Sequence, residues 1–158
     1  MAISQAMCTS FKVDILSGGQ NFNTTNIARS ANTQDVFKIA LYTSSATLDA
    51  TTTAYTTSGE VTGGVNYTAG GNTLTVAQIP TSTTGAGGSG TTTAWMNFNN
   101  VVWTSTSFSA AGAMIYNFTQ GNRCVAILSF GGTVTTTSGN FTVVMPTSNN
   151  TNAILRIA

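Results

Sequence analysis

Few residues in this chain could do chemistry, and none of them cluster. There is no histidine, so no imidazole base and no imidazole metal ligand. The acids are Asp14, Asp35, Asp49 and Glu60, and no two lie close in sequence. Acid–base catalysis needs carboxylates brought to one substrate. Here Asp14 falls on a predicted helix, Asp35 at a strand start, and Asp49 and Glu60 in loops. Cys8 and Cys124 have no base beside them in sequence and lack the spacing of a metal cluster. These residues point away from an enzyme. We assign no catalytic residue, no cofactor-binding residue and no metal ligand, and expect no cofactor.

Two further stretches carry recognisable chemistry. Gly85-Ala86-Gly87-Gly88-Ser89-Gly90 is rich enough in glycine to cradle a phosphate, but such a loop needs a following helix and usually a Lys or Arg. Neither is present, so Thr81 to Thr93 reads as a connection. Trp95, Trp103, Tyr42, Tyr55, Tyr67 and Tyr116 could stack on sugars, as in a carbohydrate-binding module. Rings of this kind more often serve as core or interface.

The chain of 158 residues is long enough for one domain with a real core, and we read 1–158 as a single domain. Only 6% of it is charged, while 41% is hydrophobic, which argues for a packed fold rather than disorder. The surface must then be built from its 31 threonines, 15 serines, asparagine and glycine. Such a surface has little charge repulsion to keep copies apart. It suits a chain that lives against other subunits, because neutral groups avoid the desolvation cost of buried charge.

Five scattered basic residues, Lys12, Arg29, Lys38, Arg123 and Arg156, make no basic footprint for nucleic acid. No apolar run reaches the roughly 18 residues of a membrane helix. Met1 to Phe11 lacks the basic start and apolar core of a signal peptide, so secretion is not expected. On that reading the sequons at Asn23, Asn66, Asn117, Asn140 and Asn149 are chance products of a Thr-rich chain. Likewise Cys8 and Cys124 read as two buried, reduced thiols of a chain made in a reducing cytoplasm.

The elements follow from periodicity. Ile3, Met7, Phe11 and Ile15 recur every four positions and predict a helix over 4–17, capped by Ser4 and ended by Gly18-Gly19. Gln20 to Gln34 reads as a polar loop. Val36 to Tyr42 has no Gly or Pro, and Phe37, Ile39 and Leu41 share one face, which predicts a central strand. Thr43 to Gly59 has only Leu48 and Tyr55 as anchors and reads as a surface excursion or an arm lying on a neighbour. Glu60–Tyr67 and Asn72–Ile79 read as a hairpin across Thr68-Ala69-Gly70-Gly71, stopped by Pro80. Further strands are predicted at 94–104, 108–118, 123–130, 140–145 and 152–157, with a tight turn at Gly121-Asn122. Ala113–Tyr116 and Cys124–Leu128 are apolar on both faces and read as covered on both sides. The sum is a mainly β fold, an antiparallel β-sandwich (a jelly roll being one such arrangement) of about eight or nine strands, with one N-terminal helix packed on it.

Several of these segments together resemble a family of small structural proteins of tailed bacteriophages, of the head or tail accessory, decoration type. The carriers are residues 37–48, FKIALYTSSATL, and 67–75, YTAGGNTLT. Later come Trp103 with Phe108, residues 113–117, 126–131 and the C-terminal NAILRIA. The resemblance spans roughly residues 11 to 158. It implies a virion structural protein, assembled in the host cytoplasm, without an active site. The leading expectation is a capsid decoration or cement protein bound in many copies on a major capsid protein and assembled as a homo-oligomer, a trimer being favoured. The alternative is a structural protein associated with tail proteins or a fibre and touching host surface glycans.

Overall fold

In the computed structural model, which describes residues 2–23, 33–85 and 88–158, the predicted central strand forms as β2, Phe37–Tyr42. Five of its six residues are buried and Lys38 is half-buried. The protein is mainly β: eight strands in two antiparallel sheets and one short helix among the described residues, the content of a β-sandwich with one helix. The chain divides into two compact units, residues 1–20, 35–73 and 102–142 in the first and 21–34, 74–101 and 143–158 in the second.

The first unit holds a five-stranded sheet. Its central hairpin is β6, Val101–Asn117, and β7, Arg123–Val143, joined through a turn at Gly121 and Asn122, both with positive φ. β2 pairs antiparallel with β6, Phe37 opposite Asn117 and Tyr42 opposite Gly112. As the two-sided apolar runs require, residues 113–116 and 124–128 are all buried. The sheet order is β1-β7-β6-β2-β3, with β1 at Ala6–Met7 and β3 at Asn72–Leu74.

The predicted helix over 4–17 is half right. Helix α1 is Thr9–Leu16, and the residues before it pair with β7, Ala6 opposite Ile127 and Met7 opposite Ala126. The strand wins there because the outer edge of β7 offers backbone partners that a frayed first turn lacks. Of the predicted stripe, Phe11 is buried and Ile3, Met7 and Ile15 are half-buried, while Val13 and Leu16 outside it are exposed. The same pairing corrects the cysteine expectation. Cys8 and Cys124 are buried but joined in a disulfide, with Cα atoms 6.2 Å apart. They are 116 positions apart in sequence, yet β1 runs alongside β7 and the Cys8 amide donates to the Val125 carbonyl at 3.1 Å.

Thr43 to Gly59, read as an excursion or an arm on a neighbour, lies on its own unit instead. The Thr43 amide donates to Gly59 and the Ser4 amide to Leu48. Ala54 bridges Arg123, and Ala46 and Leu48 are buried. Glu60–Tyr67 is irregular and contributes isolated bridges at Glu60 and Val65, so the predicted hairpin does not form. β3 joins the first sheet, and the chain then leaves for the second.

The second unit holds a sheet of order β4-β5-β8: Val76–Thr83, Gly90–Phe98 and Leu155–Ile157. Pro80 does not stop β4. It sits exposed on the sheet edge, between Gln78 and Thr81 where the register shifts, and an edge strand tolerates the missing donor. Trp95 and Phe98 are buried, and the Trp95 indole donates to the Thr83 carbonyl at 2.6 Å. Asn97, also buried, donates to Pro146 and Ser148 and accepts from the Ile154 amide, which ties the C-terminal stretch to β5.

Candidate functional site

The densest polar chemistry lies in the first unit, around Glu60. The bridge from Glu60 to Tyr42, and the Val61 amide donating to Leu41, hold residue 60 against the end of β2. Its side chain is carried inside and is 4% exposed. A buried carboxylate is costly unless hydrogen bonds replace its water. Here Oε1 accepts from the Tyr67 hydroxyl and the Gly70 amide, both at 2.7 Å, and Oε2 accepts from the Tyr55 hydroxyl at 2.6 Å. The Tyr116 hydroxyl donates to the Gly70 carbonyl at 2.7 Å, and its ring stacks on Tyr55 with centroids 4.8 Å apart. Tyr42 donates to the Thr56 carbonyl at 2.6 Å. All four tyrosines of the chain thus gather about one carboxylate.

Burial pushes all four phenols up, and the negative charge of Glu60 pushes them further. Tyr116 rises to about 12, and Tyr42, Tyr55 and Tyr67 rise beyond it. Phenols raised this far make poor bases and poor nucleophiles near neutral pH. The hydroxyls are committed to internal acceptors. What the cluster does is fasten the 54–71 segment onto β2 and β6. Gly71 completes the clasp: its φ is +66°, and a Cβ there would run into the Ile39 carbonyl oxygen.

A second polar network joins α1, β6, β7 and the start of β2. Arg123 Nε donates to Asp14 Oδ2 at 2.6 Å, and Gln20 donates to the same oxygen at 3.0 Å. Asn117, fully buried, donates to Gln20 Oε1 and to Asp35 Oδ2, both at 2.8 Å. Gln120 donates to Asp35 Oδ1 at 3.2 Å. So the structure brings Asp14 and Asp35 into one network, but through amides, with Asp14 Oδ2 and both oxygens of Asp35 occupied. Asp49 stands elsewhere, accepting from the Thr51 amide and hydroxyl at 2.7 and 2.6 Å; those bonds hold its carboxyl below the usual range.

The remaining candidates are placed as follows. Trp95, Trp103, Tyr42 and Tyr116 are buried, so these four offer no free stacking face, and Tyr55 and Tyr67 are half-buried with their hydroxyls bonded to Glu60. The glycine-rich stretch joins β4 to β5, closed by the Thr84 amide donating to Ser89, and a strand follows it. Residues 86–87 lie outside the described residues, as does most of the predicted loop at 20–34. Asn117 is inaccessible as a sequon, being buried and engaged by Asp35.

No protein-family model, curated protein or solved structure matches this chain. The sequence did not point to the Glu60 cluster. Its members at 42, 55, 60, 67 and 116 share no period, and only Gly70-Gly71 signals a close backbone approach.

Proposed function

We propose that this chain is a structural protein that works by assembly, as a component of a tailed-phage particle, where it decorates the capsid in many copies. One observation carries the assembly part: the polar chemistry of the protein is turned inward. Asp14, Asp35 and Glu60 are buried and hydrogen-bonded within the chain, leaving a surface mainly of neutral hydroxyl and amide groups with a few charges such as Lys12 and Arg156. Such groups bond across a subunit interface without stranding a charge. The phage part rests on the resemblance of segments 37–48, 67–75 and 126–131. A tail position is the competing placement within the same reading; the burial of Trp95, Trp103 and Tyr116 favours the capsid over a glycan-contacting role for those three rings.

The deciding experiment is a density map of whole particles from cells that make this protein, with its copy number measured by quantitative mass spectrometry. Hundreds of copies on the shell are expected. About a dozen or fewer at the tail would move the protein there, and none in any particle would end the virion reading.

A further inference from the structure

Among the described residues most open edges of the two sheets are short or carry a guard; the part of β5 not paired with β8 before Ala94 is only residues 90–93. An open strand edge is a row of unpaired donors and acceptors that pairs with any available strand unless blocked. β1 is two residues long and β3 three. β4 carries Pro80 and three register shifts. β8 is three residues long and bears Arg156. β7 is different. Its 21 residues are covered on the outer side only near the start: Ala54 bridges Arg123, Cys8 bonds Val125, and Met7 and Ala6 pair with Ala126 and Ile127. Beyond Ile127, no other described backbone segment pairs with that side.

Within this open length, Gly131 and Ser138 have positive φ, +75° and +50°, and mark irregularities at either end. The six residues between them, Gly132-Thr133-Val134-Thr135-Thr136-Thr137, are β-branched apart from the glycine. They contain no charge and no proline, and only Thr136 is not exposed. Val134 is 45% exposed.

We propose that Gly132–Thr137 is a self-association edge, where a second copy of this chain adds its own Gly132–Thr137 antiparallel about a two-fold axis. A second copy is the occupant favoured by charge. A two-fold brings two copies of one segment together, the residue on the axis against its own equivalent and the others reciprocally, so a charge near the axis would meet its like; this segment lies in a charge-free stretch from Cys124 to Leu155. Threonine and valine pairs across antiparallel strands are favourable, whereas a foreign strand selected by charge would find nothing here to select it. The pairing gives dimers, not the trimers favoured from composition. It rests on the self-association reading above but not on the placement in a virion.

The test is sedimentation of the full chain across a concentration series, for the natural protein and for Thr133→Lys/Thr135→Lys, with circular dichroism to establish that both are folded. A dimer is expected, its dissociation constant raised at least about tenfold by the lysines. Concentration-dependent protection of amides 132–137 from hydrogen exchange is expected alongside; should the lysine variant misfold, this measurement on the natural protein decides alone. A trimer, or a dimer indifferent to the lysines with protection elsewhere, overturns the edge assignment and leaves self-association standing. A monomer at every concentration overturns both.

Discussion

Glu60 is a residue whose environment sets the behaviour of its neighbours. The four tyrosines around it have pKa values raised above the ordinary 10.0 by burial first and by Glu60 second. The sign of the linkage follows. Above pH 10 the unfolded chain releases phenolic protons that the folded chain retains, so the folded state binds more protons and stability falls as pH rises. The stabilisation is complete below pH 10 and is drained as pH climbs through the Tyr116 value of about 12. Absorbance at 295 nm should therefore show little phenolate at pH 10. Ionisation should come in one steep step, together with loss of the native circular dichroism. Phenolate appearing with an ordinary midpoint near 10 in a still-folded protein would contradict the cluster. None of this was readable from the sequence, where Tyr42, Tyr55, Tyr67 and Tyr116 look like scattered core or interface rings.

Elements were legible where local pattern and tertiary pairing agree. β2 was, because its alternation runs unbroken from Phe37 to Tyr42. The sequence predicts β7 as two shorter strands and joins the start of β6 to the end of β5 in one strand over 94–104. Ser105, Gly131 and Ser138 punctuate the sequence, but the chain absorbs them as positive-φ irregularities inside continuous strands. The N-terminus misled more. A spacing of four predicts one helix, yet α1 keeps only eight residues, well below the roughly 12–15 at which an isolated helix holds itself in water. It depends on the Phe11 side chain, the Arg123–Asp14 pair and the Cys8–Cys124 bond. Alkylation of the denatured protein without reductant should therefore add no label, and with reductant two. Cys8→Ala/Cys124→Ala should lower stability by about 2–5 kcal/mol, with amides of residues 6–16 exchanging before those of β2 and β6. Two labels without reductant would restore the reduced thiols read from the sequence.

At the scale of the molecule the governing fact is the scarcity of charge. Between Glu60 and Arg156 the only charged residue is Arg123, and it is spent on Asp14. Composition made this legible from the start; what it could not show is that three of the four acids would be used inside the fold. A neutral surface makes a prediction about salt. Screening weakens exposed ion pairs, each worth about 0–1 kcal/mol, and in the Arg123–Asp14 pair the Arg123 side chain is 45% exposed. Raising sodium chloride from about 20 to 500 mM should thus move the melting temperature by no more than about 2–4 °C, the shift that 1 kcal/mol gives in a chain of this size. Association through the β7 edge should be equally indifferent, since backbone hydrogen bonds and threonine contacts form it and no counter-ions are released. Sedimentation at the two salt concentrations checks this. A dimer that dissociates as salt rises would show that the interface is ionic, which Gly132–Thr137 cannot be.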